Sequence, residues 1–206
     1  MKLLSAEFVT SVGPTSPLPV AQLPQVALVG RSNVGKSTLI NALARKKIAR
    51  AGGTPGTTRL LNVYQFKLAK NRGDLLLIDL PGYGYARGRD AAAQEFAELT
   101  GRYFQSDQRE EEIDRPGQAG PAGAVLLVDG RHPGLDRDRE ALKWLIGLDL
   151  PMIVAATKMD RLKRSQRLKV VKQHETALGT DVLPISAPKG DGLGPFWMAL
   201  LGLAGL

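Results

Sequence analysis

Residues 30–37 read G-R-S-N-V-G-K-S and directly follow an apolar run over residues 25–29. Glycine at positions 30 and 35 lets the backbone wrap closely around an anion, with several N–H groups pointing inward. The next stretch has a helical pattern, and a helix N-terminus adds partial positive charge. Lys36 can reach the outer phosphates of a nucleotide, and the Ser37 hydroxyl can ligate Mg²⁺. The spacing predicts a phosphate-binding loop between a strand and a helix.

A second candidate for phosphate chemistry is D-L-P-G, residues 79–82, at the end of the apolar run 75–80. The Asp79 carboxylate can hold Mg²⁺ through a coordinated water. The Gly82 N–H can bond a γ-phosphate and so respond to the presence of that phosphate. A strand ending in D-x-P-G is also a common plain turn, but the upstream phosphate loop favours the functional interpretation.

Between these two motifs lies a threonine-containing segment, residues 52–59, which reads G-G-T-P-G-T-T-R. Its hydroxyls can complete a Mg²⁺ shell in the triphosphate state, and we favour Thr58 over Thr57 or Thr54 as the ligand. The alternative is a glycine-rich loop whose threonines are incidental. A loop that orders around γ-phosphate and Mg²⁺ and is released after hydrolysis is a known kind of switch.

The base of the nucleotide is indicated by T-K-M-D, residues 157–160, at the end of the apolar run 152–156. The Asp160 carboxylate can accept hydrogen bonds from N1–H and the 2-amino group of guanine. Adenine has neither donor there and would leave a carboxylate unpaired, which discriminates strongly against it. The methylene stem of Lys158 can lie against the base plane. Ser186 and Ala187 can place a backbone N–H near the guanine oxygen.

These motifs need a sheet that presents them together. Short apolar runs and helical patterns alternate along the chain, which predicts an α/β fold with right-handed crossovers and ligands outside the carboxyl ends of the strands. We predict a mostly parallel six-stranded sheet with one antiparallel edge strand, residues 59–69. The other strands are expected at residues 25–29, 75–80, 124–129, 152–157 and 182–186. Helices are expected at residues 37–45, 90–105, 136–148, 165–178 and 193–203.

Length and composition set the remaining bounds. The 206 residues suffice for one domain, with an N-terminal extension over residues 1–24 and a surface insertion over residues 105–123. Cysteine is absent, which argues against a disulfide framework or a thiolate metal site and fits the cytoplasm. The N-terminus lacks the apolar core of a signal peptide, and the apolar tail over residues 193–206 is too short to span a bilayer.

With its motifs in this order, the chain resembles the EngB (YihA/YsxC) family of Ras-like GTPases, in the TrmE-Era-EngA-EngB-Septin-like group. The resemblance runs from residue 8 to the C-terminal helix. It is carried by G-R-S-N-V-G-K-S, T-P-G-T-T-R-L-L-N, D-L-P-G-Y-G-Y-A, D-G-R-H-P and T-K-M-D. Thr157, where most Ras-like GTPases have asparagine, also resembles this family. The resemblance implies a three-layer P-loop NTPase fold, the Ras-like G domain, and hydrolysis of GTP to GDP and phosphate.

The resemblance also implies site residues. Lys36, Thr58 and Gly82 would act in catalysis, and Ser37 and Thr58 would ligate Mg²⁺. Thr57 stands where relatives usually have a basic residue, so the choice between Thr57 and Thr58 stays open. The contacts to GTP or GDP would be made by Gly30, Arg31, Ser32, Asn33, Val34, Gly35, Lys36, Ser37, Gly56, Thr57, Thr58, Arg59, Leu60, Asp79, Leu80, Pro81, Gly82, Thr157, Lys158, Met159, Asp160, Ile185, Ser186 and Ala187.

The rate of hydrolysis is expected to be low. Many related enzymes orient the attacking water with a glutamine after D-x-x-G, but this chain has Tyr83 at that position. We therefore expect slow intrinsic hydrolysis and acceleration by a partner or a monovalent cation. Asn33 resembles the asparagine that coordinates K⁺ in related GTPases. The alternative, that Asn33 only supports the loop through hydrogen bonds, has equal weight.

The net charge of +8, from 28 Lys and Arg against 20 Asp and Glu, suggests a polyanionic partner. Two basic clusters fit phosphate contacts to ribosomal RNA, although a solvated basic face explains them equally well. They are Arg45, Lys46, Lys47 and Arg50, and then Arg161, Lys163, Arg164, Arg167, Lys169 and Lys172. The family resemblance implies a role in assembly of the large ribosomal subunit and in normal cell division and septation. We expect a monomer.

Two other functions stay open from the sequence. A GTP-dependent cell-division interaction module would bind GTP but scarcely hydrolyse it. A small-molecule kinase would use the same phosphate loop with ATP and would need an acceptor site rather than a guanine motif. Partner capture in the GDP and GTP forms separates the first of these from the switch, and base preference separates the second.

Overall fold

The apolar runs of the chain become the strands of one sheet with helices on both faces. The structure is a computed structural model that describes residues 3–18, 23–50, 60–69, 73–83, 90–105 and 121–206. Within these ranges the strands are β1 Leu3–Val12, β2 Gln25–Gly30, β3 Leu61–Leu68, β4 Asp74–Asp79, β5 Pro121–Asp129, β6 Met152–Thr157 and β7 Val182–Pro184. The helices are α1 Lys36–Ala44, α2 Asp90–Phe104, α3 Asp136–Ile146, α4 Arg164–Leu178 and α5 Leu193–Leu203, with a 3₁₀ turn at Met159–Arg161.

The strands lie in the order β1-β3-β4-β2-β5-β6-β7. Strands β2, β4, β5, β6 and β7 are mutually parallel, whereas β3 is antiparallel to both β4 and β1. The predicted α/β class with a mostly parallel sheet is confirmed. The antiparallel strand is second from the edge rather than at it, because β1 covers its outer side.

Strand β1 is the element that the sequence analysis missed, so the sheet described here has seven strands rather than six. Residues 3–12 belong to the sheet and not to an extension outside it. Only Ala6 and Val12 are fully buried, and the register shifts between Leu3 and Ser5 and again between Phe8 and Thr10. These irregularities break the alternation of apolar and polar residues that identifies a strand with one buried face.

Alternate residues of the central strand β2 enter two separate cores. Val26 and Leu28 face the core that α1 and α5 cover, whereas Ala27 and Val29 face the core that α2 and α3 cover. All four side chains are buried, as expected for a parallel strand with helices on both faces. The helices contribute Leu39, Leu43, Phe196 and Leu200 to the first core and Leu99, Tyr103, Leu142 and Leu145 to the second.

The boundaries of the predicted surface insertion, residues 105–123, need a correction. Residues 121–123 are the first part of β5, and residues 106–120 lie outside the described ranges. Pro121 and Gly123 are turn-forming types in most contexts, which hid the strand. Glycine is needed at position 123, because a Cβ there would lie only 2.8 Å from the Pro151 carbonyl oxygen.

The parallel strands bring the polar ends of four segments to one edge of the sheet. Gly30 pairs in register with Leu127, Leu28 with Asp79, and Asp129 with Thr157. Strands β2, β4, β5 and β6 therefore end side by side, which is where ligands bind in open α/β sheets. None of the described helices has both the length and the apolar composition that crossing a membrane requires.

Candidate functional site

The predicted phosphate loop lies between β2 and α1, at the carboxyl edge of the sheet. Gly35 has a φ of 119°, and it directly precedes the first residue of α1 with no side-chain cap. A residue with a Cβ would be strained at that φ, so glycine is required for the turn. The first amides of the helix are therefore directed at the loop, where an anion can accept from them.

Lys36 is buried at the start of α1. Its side chain is 7% exposed, and Nζ donates a hydrogen bond to the Gly30 carbonyl oxygen at 3.2 Å. Burial lowers the pKa of Lys36, and the nearby Asp79 carboxylate acts against that shift. The side chain of Lys36 thus spans the loop from the start of α1 back to Gly30.

Asp79 ends β4 and is 1% exposed. Burial raises its pKa to about 6, although the charge of Lys36 acts to lower it. Within the described residues its Oδ1 accepts no hydrogen bond. A buried carboxylate oxygen without a donor fits a hydrated cation better than it fits a purely structural role. Mg²⁺ prefers oxygen ligands and keeps several waters, and the half-buried Ser37 is the second residue of α1.

The segment after β4 crosses directly over the phosphate loop. A Cβ on Gly82 would lie 2.5 Å from the Ser32 nitrogen, so only glycine fits this approach. Arg31 and Tyr83 form a parallel bridge, and the Ser32 N–H donates to the Tyr83 carbonyl oxygen at 3.4 Å. The backbone N–H of Gly82 is therefore placed beside the loop that is expected to hold the phosphates. Leu80 and Pro81, which precede it, are buried.

The side chain of Tyr83 turns away from the loop towards α3. Its hydroxyl donates to Asp138 Oδ1 at 3.0 Å, and Arg31 Nε forms an ion pair with the same oxygen at 3.1 Å. Asp138 is 1% exposed. Its buried carboxylate therefore joins the phosphate loop, the segment after Gly82 and α3. The sequence analysis found neither Asp138 nor this use of Arg31, because these residues meet only in the folded chain.

The T-K-M-D segment is fastened to the phosphate loop. The Thr157 hydroxyl lies 2.6 Å from the Val34 carbonyl oxygen, to which it donates. Lys158 has a φ of 58°, and its Nζ donates to the Asn33 carbonyl oxygen at 2.5 Å and to Asp129 Oδ2 at 3.0 Å. These bonds hold the predicted guanine-binding segment against the predicted phosphate-binding segment, as one nucleotide spanning both would need.

Asp129 supports this junction; the sequence analysis cited it within D-G-R-H-P as part of the family resemblance but assigned it no role. It ends β5, is 3% exposed, and accepts from Arg131 Nη2 at 2.7 Å as well as from Lys158. Burial would raise the pKa of Asp129, but the hydrogen bonds from Arg131 and Lys158 outweigh burial and lower it. Its place at the end of a predicted strand, directly before Gly-Arg, was the signal that could have indicated this role.

Asp160 is placed beside the last predicted contact segment. Its Oδ1 accepts from the Ser186 hydroxyl at 2.8 Å. The Ser186 N–H donates to the Asp191 carbonyl oxygen at 2.9 Å, which leaves Ala187 as the candidate amide for a guanine oxygen. Ile185 and Met159 are buried, and the Met159 N–H donates to the Ile185 carbonyl oxygen at 3.2 Å. The segments 157–160 and 185–187 therefore form one side of the predicted base site, the base wall.

The remaining predicted contacts fall mostly outside the described residues. Gly56, Thr57, Thr58 and Arg59 belong to residues 51–59, which the structure does not describe, so the choice of Thr58 as a Mg²⁺ ligand stays a prediction. Leu60 is described and is 41% exposed, next to the start of β3.

Comparison with known proteins identifies the family. Residues 25–158 match a family model described as "50S ribosome-binding GTPase". A protein of Pelotomaculum thermopropionicum named "Probable GTP-binding protein EngB" is 41% identical over 177 residues, which is 84% of this chain and 81% of the relative. A protein of the same name from Anaeromyxobacter sp. is 35% identical over 212 residues, covering 99% of this chain and 93% of the relative.

Solved structures share the fold. A crystal structure of a probable GTP-binding protein EngB superposes with a TM-score of 0.62 at 24% identity, over 87% of this chain and 98% of that one. The structure of Era in complex with MgGDPNP and a segment of 16S ribosomal RNA has a TM-score of 0.69 at 25% identity, over 89% of this chain and 57% of Era. The family match, the relatives and the site geometry agree: the chain belongs to the EngB family of GTP-binding proteins and is a GTPase.

Proposed function

We propose that this GTPase is a GDP/GTP switch that acts in assembly of the large ribosomal subunit in the cytoplasm, with normal cell division and septation depending on that step. The observation that carries the proposal is that exposed basic residues lie next to the carboxyl edge of the sheet, where the nucleotide is expected to bind. Helix α4 begins four residues after Asp160, and its exposed cations continue away from the guanine motif. The matched family description, which names 50S ribosome binding, supports the same partner.

For hydrolysis, we propose that Lys36 and the loop amides neutralise the negative charge of the phosphates. The Gly82 N–H would donate a hydrogen bond to the γ-phosphate. Ser37 and Thr58 would hold Mg²⁺, with Asp79 acting through a coordinated water; bound Mg²⁺ neutralises developing charge on the phosphate oxygens. These groups position and stabilise rather than react covalently. The catalytic role of the chain is thus to hold the γ-phosphate and to surround it with fixed positive charge.

Tyr83 explains why intrinsic hydrolysis should be slow. Its hydroxyl is bonded to Asp138, so it is not directed at the place where an attacking water would lie. Without a side chain that orients the water, we expect an intrinsic rate on the order of 10⁻³ s⁻¹ or lower. A ribosomal contact or a monovalent cation would then supply the acceleration.

Replacing Na⁺ by K⁺ is expected to raise the hydrolysis rate about tenfold or more, since a cation at Asn33 would add positive charge beside the β- and γ-phosphates. The rate is measured by phosphate release at constant ionic strength. Asn33→Gly is the matched variant: Asn33 has a φ of 62°, which glycine adopts without strain, so the variant removes only the side chain. It should lose the K⁺ effect. Equal rates in K⁺ and Na⁺ for the unaltered protein rule out the cation site.

Two exposed basic surfaces are available for contact with ribosomal RNA. The basic turn consists of Arg45, Lys46, Lys47 and Arg50. It is held in place by Asn41, whose Oδ1 accepts from the amides of Ile48 and Ala49, each at 2.8 Å. The basic helix face consists of Arg164, Lys169 and Lys172 on α4 together with Arg161 and Lys163 just before it.

Not every cation of the second cluster is available. Arg167 is half-buried and lies 3.5 Å from Asp191, so it braces α4 against the loop before α5. We therefore restrict the proposed RNA contact at and just before α4 to the five exposed side chains of the basic helix face. Phosphate contacts by such side chains favour polyanions generally and are weakened by salt.

The GTP-bound protein is expected to co-sediment with large ribosomal subunits, and this binding should weaken steeply with salt. In the double variant Lys169→Gln/Lys172→Gln, the slope of log K against log salt concentration should become shallower. The change should be about one for each RNA phosphate that a removed lysine had neutralised. The charge-matched control is Lys67→Gln/Lys143→Gln, which neutralises two exposed lysines elsewhere on the surface. Absence of co-sedimentation at low salt, in both nucleotide states, contradicts the proposed partner.

A further inference from the structure

Two segments that would respond to nucleotide, the phosphate loop and the segment after Gly82, meet at one buried carboxylate of α3. Asp138 Oδ1 accepts the Tyr83 hydroxyl at 3.0 Å and pairs with Arg31 Nε at 3.1 Å. Arg31 is the second residue of the phosphate loop, and Tyr83 directly follows the glycine assigned to the γ-phosphate. Asp138 lies in the first turn of α3.

The contact is buried at the carboxylate and partly exposed at Arg31. The side chain of Asp138 is 1% exposed and that of Arg31 is 24% exposed, and Tyr83 packs against the core under α2 and α3. His174 of α4 also faces Asp138, but burial lowers the pKa of His174 and favours its neutral form. The positive charge of Arg31 in the phosphate loop therefore offsets the negative charge of the buried Asp138 carboxylate.

Backbone geometry shows what the contact fixes. Tyr83 runs beside Arg31 as a parallel bridge, and its carbonyl oxygen accepts from the Ser32 N–H at 3.4 Å. Gly82 touches the same loop so closely that a Cβ would meet the Ser32 nitrogen at 2.5 Å. The anchoring of Tyr83 thus sets where the Gly82 N–H points.

We propose that Asp138, with Arg31 and Tyr83, is an anchor that positions Gly82 for the γ-phosphate, so that Tyr83 replaces a water-orienting residue with a fixed attachment point. Asp138 and Tyr83 are positioning residues, since the Tyr83 hydroxyl and the Asp138 carboxylate contact each other and Arg31 and would act on the phosphates only through the loop. The inference rests on the proposed role of Gly82. It predicts that the anchor affects recognition of GTP and its hydrolysis but leaves binding of GDP, which has no γ-phosphate, almost unchanged.

The test compares Tyr83→Phe, which removes one hydroxyl, with Asp138→Asn, which removes the charge and keeps the shape. For each protein, kcat is measured in single turnover, and the affinities for GDP and for a non-hydrolysable GTP analogue are measured by titration. We expect kcat to fall by about tenfold to a hundredfold, because small misplacements of a positioning group have effects of that size. The GTP-analogue affinity should fall while the GDP affinity stays within about twofold.

Two controls separate this role from a purely structural one. Asp136→Asn makes the same change two residues earlier on α3, where the side chain is exposed and pairs with Arg139, and it should behave as the unaltered protein. The double variant Tyr83→Phe/Asp138→Asn should be no slower than the slower single variant, because both act through one contact.

Several results would overturn the inference. Tyr83→Phe with unaltered kcat and an unaltered ratio of GTP-analogue to GDP affinity does so, even if Asp138→Asn fails to fold. Equal losses of GDP and GTP-analogue affinity also do so, because they indicate general damage to the loop. If the unaltered protein binds GDP and the GTP analogue equally well, the proposed role of Gly82 fails first, and that result is separate from either variant.

Discussion

Replacing Lys36 with methionine is expected to reduce the rate of GTP hydrolysis by about 10²–10³-fold, since it removes one fixed positive charge from the phosphates in the transition state. Methionine suits the position because Lys36 is 7% exposed and its stem is already packed among buried residues. Burial lowers the pKa of Lys36, so the folded protein gains little from that charge in the absence of nucleotide. The fold should therefore survive while the chemistry is lost.

Single-turnover phosphate release, with thermal unfolding in parallel, measures both parts of this expectation. Lys46→Met is the matched control, because Lys46 is exposed on the turn after α1 and carries the same charge. Its rate should match that of the unaltered protein. A Lys36→Met protein that folds normally and hydrolyses GTP within about threefold of the unaltered rate contradicts the assignment of the phosphate site.

Replacing Asp160 with asparagine is expected to weaken GTP binding by about a hundredfold, because the carboxylate can no longer accept from the base and an amide group then faces the 2-amino group. The geometry also predicts that the variant gains affinity for a different base. The Ser186 hydroxyl, which lies 2.8 Å from Asp160 Oδ1, can donate to the new amide oxygen and turn the NH₂ towards the base. Xanthine has an oxygen where guanine has its 2-amino group, so xanthosine triphosphate should bind the variant more tightly than GTP.

The control for this change is Asp191→Asn. Asp191 lies beside Ser186, but its carboxylate is exposed and pairs with Arg167 at 3.5 Å. The variant makes the same change in net charge and should keep the preference for guanine. A change of base preference in Asp191→Asn, or none in Asp160→Asn, would mean that Asp160 does not read the base.

Much of the arrangement of the candidate site could be predicted from the sequence because its parts are local. The phosphate loop needs a strand, a glycine with positive φ and a helix start in succession, and these features are encoded within residues 25–44. The same holds for D-L-P-G and T-K-M-D, each of which follows an apolar run. Parallel strands then bring their carboxyl ends together at one edge, so the order of motifs sufficed to predict their proximity.

The parts that were missed depend on contacts between distant segments. Strand β1 pairs with β3, whose partner residues lie 49 to 65 positions further along the chain, and its irregular register weakens the alternation that would identify it. Asp138 looks like an ordinary first-turn carboxylate of α3, yet it receives Tyr83 from 55 residues earlier. Lys158 was expected to cover the base, whereas its amino group also ties Asn33 to Asp129. No short motif encodes such pairings.

The central claim is that one site reads both the phosphates and the guanine base. It is tested most directly by measuring the affinities of the unaltered protein for GTP, GDP and ATP with Mg²⁺ present, in a single titration series. We predict that GTP and GDP bind at least about a hundredfold more tightly than ATP, because adenine leaves the Asp160 carboxylate unpaired. Equal affinity for ATP and GTP would contradict the account.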